Sequence, residues 1–143
     1  MKKYISFFVL SFLLFLLVGC SSANVKIVRT QWESSDVTGT HLIINSFEEY
    51  NAYATTDGSK KLEGLYNEEF FNNSSLVLVF LSENSGSISH KVKSVKINDG
   101  VVDLTVKRKT PEIGTYDMAE WTFFIELTKN EVKTIEEVNL ILK

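Results

Sequence analysis

The segment Leu76-Val77-Leu78-Val79-Phe80-Leu81 is apolar at every position, and it constrains the fold more than any other part of the chain. Successive side chains of a strand point to opposite faces of the sheet. A strand without polar residues must therefore be covered on both faces. The segment predicts a central strand with packed layers above and below it.

Most of the remaining chain alternates apolar and polar residues with a period of two, which is typical of strands with one buried face. The alternation changes parity between Val92 and Val95, which predicts a bulge near Lys93-Ser94. Asn98-Asp99-Gly100 predicts a hairpin turn, because these residues tolerate positive φ. The predicted strands, besides the central one, cover residues 25–29, 40–45, 88–97, 101–109, 121–127 and 138–142.

Two short helices are predicted between the second and third strands. Ser46-Phe47-Glu48-Glu49 forms a capping box, and Asn67 is a cap for a second helix that ends near Phe71. We therefore expect a mainly antiparallel β fold, α+β in the broad sense, built as a sandwich or partly open barrel of about seven strands. The expected core residues on adjoining strands are Phe80, Val92, Leu104 and Phe123.

The first twenty residues have the layout of a bacterial secretory signal. Lys2 and Lys3 precede an apolar run of about 15 residues, which is shorter than a membrane span. The run ends in Leu17-Val18-Gly19-Cys20, which resembles a lipobox. The resemblance implies that residues 1–19 are a signal peptide and that Cys20 is lipidated. The alternatives are an uncleaved anchor and an ordinary signal peptide.

On the lipobox interpretation, residues 20–24 are a lipidated cysteine and short tether, and residues 25–143 are a single β-rich domain. The protein is then extracytoplasmic and attached to the bacterial cell membrane through the lipid on Cys20. Four stretched tether residues reach about 14 Å. Because Cys20 is the only cysteine, no disulfide is expected.

The charge balance argues against a nucleic acid as partner. The whole chain has 15 basic and 18 acidic side chains, and the leader holds two of the basic ones and no acid. The mature part therefore carries a net charge of −5, against −3 for the whole chain. Nucleic-acid-binding domains carry a basic patch or stripe, and none is present in this sequence.

The sequence contains no recognisable catalytic or metal-binding pattern. There is no Gly-x-Ser-x-Gly motif, and the single cysteine is assigned to the anchor. His41 and His90 lie in predicted strands, where a half-buried sheet histidine is the simpler interpretation. Two isolated histidines do not supply the three or four ligands of a zinc site. We expect no enzymatic activity and no cofactor, and an unrecognised hydrolase is a remaining alternative.

The better candidate for function is a surface formed by two loops. Hairpin geometry places residues 83–87 and 110–121 at the same end of the domain, which we call the pole. Long ordered loops with aromatic residues and methionine are typical of interaction sites. The candidate partner-binding residues are Glu83, Ser85, Ser87, Ile113, Tyr116, Met118 and Trp121.

Two other interpretations of the pole remain open. Tyr116, Met118 and Trp121 can instead plug the end of a barrel and so belong to the core. Alternatively, the rings of Tyr116 and Trp121 can act as sugar platforms in a lipoprotein that binds a small ligand or a glycan. Exposure of these three side chains distinguishes the interpretations.

Part of the chain resembles a known family. The residues that carry the resemblance include Phe70-Phe71, Ser85-Gly86-Ser87-Ile88, Pro111-x-x-Gly114 and the strand Trp121–Leu127. Together, residues of about 66–129 resemble the PrcB C-terminal-domain family of extracytoplasmic proteins. The resemblance implies a lipoprotein accessory subunit of a surface protease complex, without catalytic residues. The chain departs from the family at Gly86-Ser87-Ile88, where a glycine-glycine-tyrosine segment is common, and near Trp121, where a proline is frequent.

The function expected from the sequence is therefore non-enzymatic protein binding. The partner would be another envelope protein, such as a protease that the lipoprotein assembles, stabilises or inhibits.

Overall fold

The computed structural model describes residues 23–30, 38–56 and 61–143. The leader and Cys20, on which the membrane-anchor prediction depends, lie outside the described residues. The described elements are, in order, β1 (Asn24–Thr30), β2 (His41–Ile44), α1 (Phe47–Thr56), α2 (Glu68–Asn73), β3 (Ser74–Glu83), β4 (Ser89–Asn98), β5 (Val101–Lys109), β6 (Ala119–Thr128), α3 (Lys129–Val132) and β7 (Glu137–Leu142). No helix in these ranges is long and apolar enough to cross a membrane.

The strands form two sheets, which confirms the predicted mainly β fold with seven strands. One sheet has the order β1-β6-β3-β2 with all neighbours antiparallel. The other has the order β4-β5-β7, in which β7 runs parallel to β5. No strand of one sheet pairs through its backbone with a strand of the other in the described ranges, so the structure is an open, sandwich-like arrangement rather than a closed barrel.

The central strand β3 is covered on both faces, as its apolar sequence predicts. Leu76, Leu78 and Phe80 pack against a cluster that contains Tyr50 of α1 and Phe71 of α2. The alternate residues pack against the second sheet, in a core that includes Val77, Val79, Leu81, Val102, Leu104, Val106, Phe123, Ile125 and Leu127. The domain therefore has three layers, with the helices on one side of the four-stranded sheet and the smaller sheet on the other.

Three of the four expected core residues share the core between the sheets. Leu104 and Phe123 are fully buried there, and Val92 packs against them. Phe80 is buried too, but it belongs to the core beneath the helices. Phe80 is thus a core residue, as expected, but it faces the helices rather than the second sheet, because it has the parity of Leu76 and Leu78 on β3.

Both predicted helices are present, and each begins at its predicted cap. Asn67 precedes α2 and its Oδ1 accepts a hydrogen bond from Phe70 N at 3.0 Å. Before α1, Ser46 Oγ accepts from Glu49 N at 3.1 Å. The Glu49 carboxylate accepts from Asn45 N rather than from the backbone of Ser46. Side chains thus satisfy amide groups that would otherwise lack partners at the helix starts.

The hairpin between β4 and β5 confirms the predicted bulge and turn. The register shifts between Val92 and Ser94, where the sequence changes parity. Asp99 and Gly100 have φ angles of 47° and 82°. A Cβ atom at Gly100 would lie 2.5 Å from the backbone oxygen of Thr134, so a side chain does not fit there.

The helix α3 and the parallel pairing of β7 were not predicted. Thr128 caps α3 by accepting a hydrogen bond from Glu131 N, and the Glu131 carboxylate accepts from Thr128 N at 2.8 Å. This four-residue helix directly follows β6. The chain then crosses to the second sheet, so that β7 runs beside β5 in the same direction.

Leu104→Ala is expected to lower the free energy of unfolding by about 2–5 kcal/mol, since a fully buried leucine leaves a cavity when truncated. Chemical denaturation measures the loss. Leu42→Ala is the matched control, because Leu42 is 41% exposed and should cost less than about 1 kcal/mol. A loss below about 0.5 kcal/mol at Leu104 would contradict the burial of this face of β5.

Candidate functional site

The two loops of the pole contact each other, as hairpin geometry predicts. Thr115 Oγ1 lies 2.9 Å from Ser87 Oγ and 3.2 Å from Ser85 Oγ. The backbone N–H of Thr115 also donates to Ser87 Oγ at 3.3 Å. The serines of the first loop thus hold the middle of the second loop.

Asp117 adds a charged attachment that sequence reasoning missed. Its carboxylate accepts from Gly86 N at 3.1 Å and from Arg29 Nη2 of β1 at 3.1 Å. Hydrogen bonds from Thr115, from the Gly86 backbone and from Arg29 lower the pKa of Asp117 to about 2. The sequence gives little indication of this ion pair, because Asp117 looks like an ordinary acidic loop residue and its partner Arg29 is 88 positions away.

The absence of a side chain at Gly86 leaves room for this attachment. A Cβ atom at this position would lie 2.5 Å from Asp117 Oδ2 and 2.6 Å from Arg29 Nη2. Any side chain here would push Asp117 and Arg29 away from the loop. The small residue therefore permits the close contact between the loops.

Three apolar side chains of the second loop point into solvent. Tyr116 is fully exposed, Ile113 is 91% exposed and Met118 is 63% exposed. Along residues 115–118, the hydrogen-bonded Thr115 and Asp117 alternate with the exposed Tyr116 and Met118. The interpretation of Tyr116 and Met118 as a barrel plug is therefore wrong.

Trp121 has a different environment from Tyr116. It is half-buried and packs against the core between the sheets. Its indole contacts the His90 imidazole edge-on, with 5.1 Å between ring centroids. Trp121 is therefore part of the core, which makes its assignment to the exposed binding surface wrong and separates it from Tyr116 as a paired sugar platform.

Two further candidate residues, Glu83 and Ser85, are buried rather than exposed. Glu83 is only 6% exposed, and Ser85 is 8% exposed. Both were assigned to partner binding, but their side chains are turned inward and support the loops instead. Of the first loop, Ser87 is the candidate that remains exposed.

Glu83 is the centre of a buried charge cluster beneath the pole. Its carboxylate accepts from Arg108 Nε at 2.8 Å and Nη2 at 2.9 Å, and from His90 Nε2 at 2.8 Å. Burial alone raises the pKa of Glu83, but the hydrogen bonds from Arg108 and His90 outweigh burial and lower it below its usual value. The cluster joins β3 of one sheet to β4 and β5 of the other.

The His90 side chain is completely enclosed. Because the Glu83 carboxylate is an acceptor, Nε2 carries the proton in this pair. His90 Nδ1 is buried and has no hydrogen-bond partner among the described residues. The ring therefore has no surface at which a substrate can meet it in this conformation. Half-burial was the expectation from sequence, and the side chain is buried more completely than that.

Two pairs of adjacent glutamates lie at helix starts, where the helix dipole favours negative charge. Glu48 and Glu49 are in the first turn of α1, and Glu68 and Glu69 are in the first turn of α2. Within the described ranges, no group of three or more His, Cys, Asp or Glu residues is placed to hold a metal ion.

Glu83→Gln is expected to lower the free energy of unfolding by about 1–3 kcal/mol at pH 7, because it removes a buried charge that Arg108 and His90 contact. The glutamine keeps the shape of the side chain, so the loss reports the charge. The measurement is chemical denaturation of both proteins at pH 7 and at about pH 3.

The same comparison has an expected pH dependence. The folded pKa of Glu83 is lowered, so its contribution is complete above the unfolded pKa of about 4.3 and is lost as the pH falls through the folded pKa. The difference between wild type and variant should therefore shrink at the acidic pH. A difference that stays constant would contradict the assigned role of the Glu83 charge.

Comparison of the chain with protein-family models, with curated proteins and with solved structures finds no match. The resemblance of residues 66–129 to the PrcB C-terminal-domain family therefore rests on the sequence pattern. The function of the pole has to be argued from its geometry, in which a firmly attached loop presents three apolar side chains to solvent.

Proposed function

We propose that this chain is a membrane-anchored extracytoplasmic lipoprotein and a non-enzymatic protein-binding module, with the pole as its binding surface. One observation carries the proposal: Ile113, Tyr116 and Met118 are exposed on a loop that hydrogen bonds hold in place. Methionine and aromatic residues are enriched in the buried centres of protein interfaces. A partner that covers these three side chains removes them from water.

The attachment of the loop favours tight binding. Association costs free energy for every loop and side chain that it has to order. Here Thr115 and Asp117 already fix the segment that carries Tyr116, so less ordering remains for the complex. Exposed apolar side chains on a pre-ordered loop are the arrangement expected of a binding surface.

β1 begins far from the pole and ends next to it. β1 begins at Asn24 opposite Glu126 and ends at Thr30 opposite Glu120, next to the pole. Seven residues of strand rise about 23 Å. Asn24, which ends the proposed tether, thus lies at the end of β1 away from the pole, and an anchor at Cys20 would leave the apolar side chains free for a protein partner.

The partner we favour is a secreted or cell-wall protease, which the lipoprotein assembles, stabilises or inhibits. The support for a protease is the resemblance to the PrcB C-terminal-domain family. The net charge of −5 of the mature part supports a protein partner over a nucleic acid.

The two alternative functions have less support. A glycan site built on Tyr116 and Trp121 needs two exposed rings, and the Trp121 ring packs into the core. A hydrolase built on His90 needs a ring that substrate can reach, and the His90 side chain is enclosed. The exposed loop supports the binding function without either of these requirements.

Tyr116→Ala should weaken capture of the partner by about 30-fold or more, because interface energy concentrates in a few aromatic anchors worth about 2 kcal/mol or more each. The assay is recovery of the partner from envelope extract by the tagged full chain. The melting temperature should stay nearly unchanged, since the Tyr116 ring is fully exposed.

Leu42→Ala is the control for this assay, because Leu42 is exposed but lies on β2 and not at the pole. It should capture the partner as well as wild type does. Equal capture by Tyr116→Ala and wild type would contradict the proposal and direct attention to the surface near Ser46 and Phe71.

Cys20→Ser should abolish membrane attachment and leave an unprocessed precursor, because the lipid that permits cleavage is no longer added. Fractionation of cells and the mobility of the protein in gels measure both effects. A variant that is processed and bound to the membrane like wild type would contradict lipidation at Cys20. That outcome would not contradict the proposed role of Tyr116 in binding, which the capture assay tests separately.

A further inference from the structure

The outer edge of β7 differs from the other edge of the same sheet. Neither β4 nor β7 has a second strand partner among the described residues. Unpaired edges are templates for pairing with another chain, and lysines and bulges protect against it. β4 has Lys91, Lys93 and Lys96 together with the bulge after Val92. β7, from Glu137 to Leu142, has no lysine and no proline, and its pairing to β5 is regular.

The backbone groups that face the free edge of β7 follow from its pairing with β5. Lys143 N donates to Val106 O at 2.9 Å, and Arg108 N donates to Lys143 O at 2.8 Å. The main chain of Lys143 therefore faces β5. Because the direction alternates along a strand, the N–H and C=O groups of Val138, Leu140 and Leu142 face outward.

The same three residues have their side chains on the inner face of the sheet. Val138 is buried in the core between the sheets, and Leu140 packs against it. Leu142, at the end of the strand, is 40% exposed, and its neighbour Ile141 on the outer face is 37% exposed. A strand added at this edge would continue the ladder and cover apolar surface at Leu142.

We propose that β7 pairs in antiparallel fashion with β7 of a second copy of this chain, about a two-fold axis at Leu140. In this register Glu137 lies opposite Lys143 of the second copy, and the symmetry repeats the pair at the other end. Opposite charges directly across a strand pair are stabilising. Glu137, which begins β7, and Lys143, which directly follows it, thus carry charges that complement each other in a dimer.

The backbone fits the same register. Val138 lies opposite Leu142 of the second copy, and Leu140 lies opposite Leu140, so every outward-facing group meets another outward-facing group. Directly opposed side chains share a face of the sheet, so Val138 of one copy covers the exposed Leu142 of the other. A slip of one residue would oppose outward-facing groups to inward-facing ones and break this ladder.

Antiparallel pairing reverses one copy relative to the other. β7 runs parallel to β5, which leads toward the pole, so each end of the dimer carries the pole of one copy and the start of β1 of the other. The poles stay free to bind their partners.

The test uses charge reversal in the full chain, extracted in detergent, with the dimer measured by sedimentation equilibrium. Glu137→Lys and Lys143→Glu each turn two attractive pairs into repulsive ones. Each variant alone should raise the dimer dissociation constant about tenfold or more. An equal mixture of the two variants should dimerise like wild type, since each lysine again meets a glutamate.

The mixture also shows that both variants are folded, because only an intact β7 edge restores pairing. Lys91→Glu is the control, because it reverses a charge on β4 at the other edge of the same sheet and should leave the dimer intact. A monomeric wild type, variants that dimerise like wild type, or a mixture that does not recover would each overturn the proposal.

Discussion

The pole depends on the buried carboxylate of Glu83. It accepts three hydrogen bonds, two from Arg108 and one from His90, while only 6% of the residue is exposed. A buried charge is tolerated only where partners satisfy it. Because those partners lie on β5 and β4, the carboxylate fixes the second sheet against β3 of the first. The loops that leave these strands then start from fixed positions.

A second set of contacts, which is more exposed, holds the two loops of the pole against each other. Asp117 joins the loop after β5 to Gly86 and to Arg29 of β1, and Thr115 joins it to Ser87. Thr115 and Asp117 face the domain. Tyr116, which lies between them, and Met118, which follows Asp117, face solvent. Polar attachment and apolar exposure thus alternate along one short segment. This alternation explains how an acidic, mostly polar surface keeps three apolar side chains exposed at one end.

The strands could be predicted from the sequence because their signals are local. An apolar run marks β3, a change of parity marks the bulge after Val92, and tolerance of positive φ marks the turn at Asp99. Each of these signals lies within a few neighbouring residues. The helix α3 was missed because its capping box follows a strand directly and covers four residues. The sequence predicted that Phe80 is buried but not which layer covers it, because an all-apolar strand gives no indication of which face meets the helices.

The site was harder to predict because its contacts join distant parts of the chain. Glu83 and Arg108 are 25 positions apart, and Arg29 and Asp117 are 88 apart. Neither pair leaves a periodic signal. Glu83 therefore looked like an exposed loop residue, although Arg108 and His90 draw it inward. Hairpin geometry predicted which loops meet, but it did not separate the exposed Tyr116 from the packed Trp121.

The most direct measurement is photo-crosslinking from position 116 of the full chain in the envelope of the cells that produce it. A photoreactive phenylalanine in place of Tyr116 should form one discrete adduct with another protein, because the ring is fully exposed at the centre of the pole. The same group in place of Leu42 should not form that adduct. No adduct from position 116, or the same adduct from both positions, would contradict the account of the pole as a protein-binding surface.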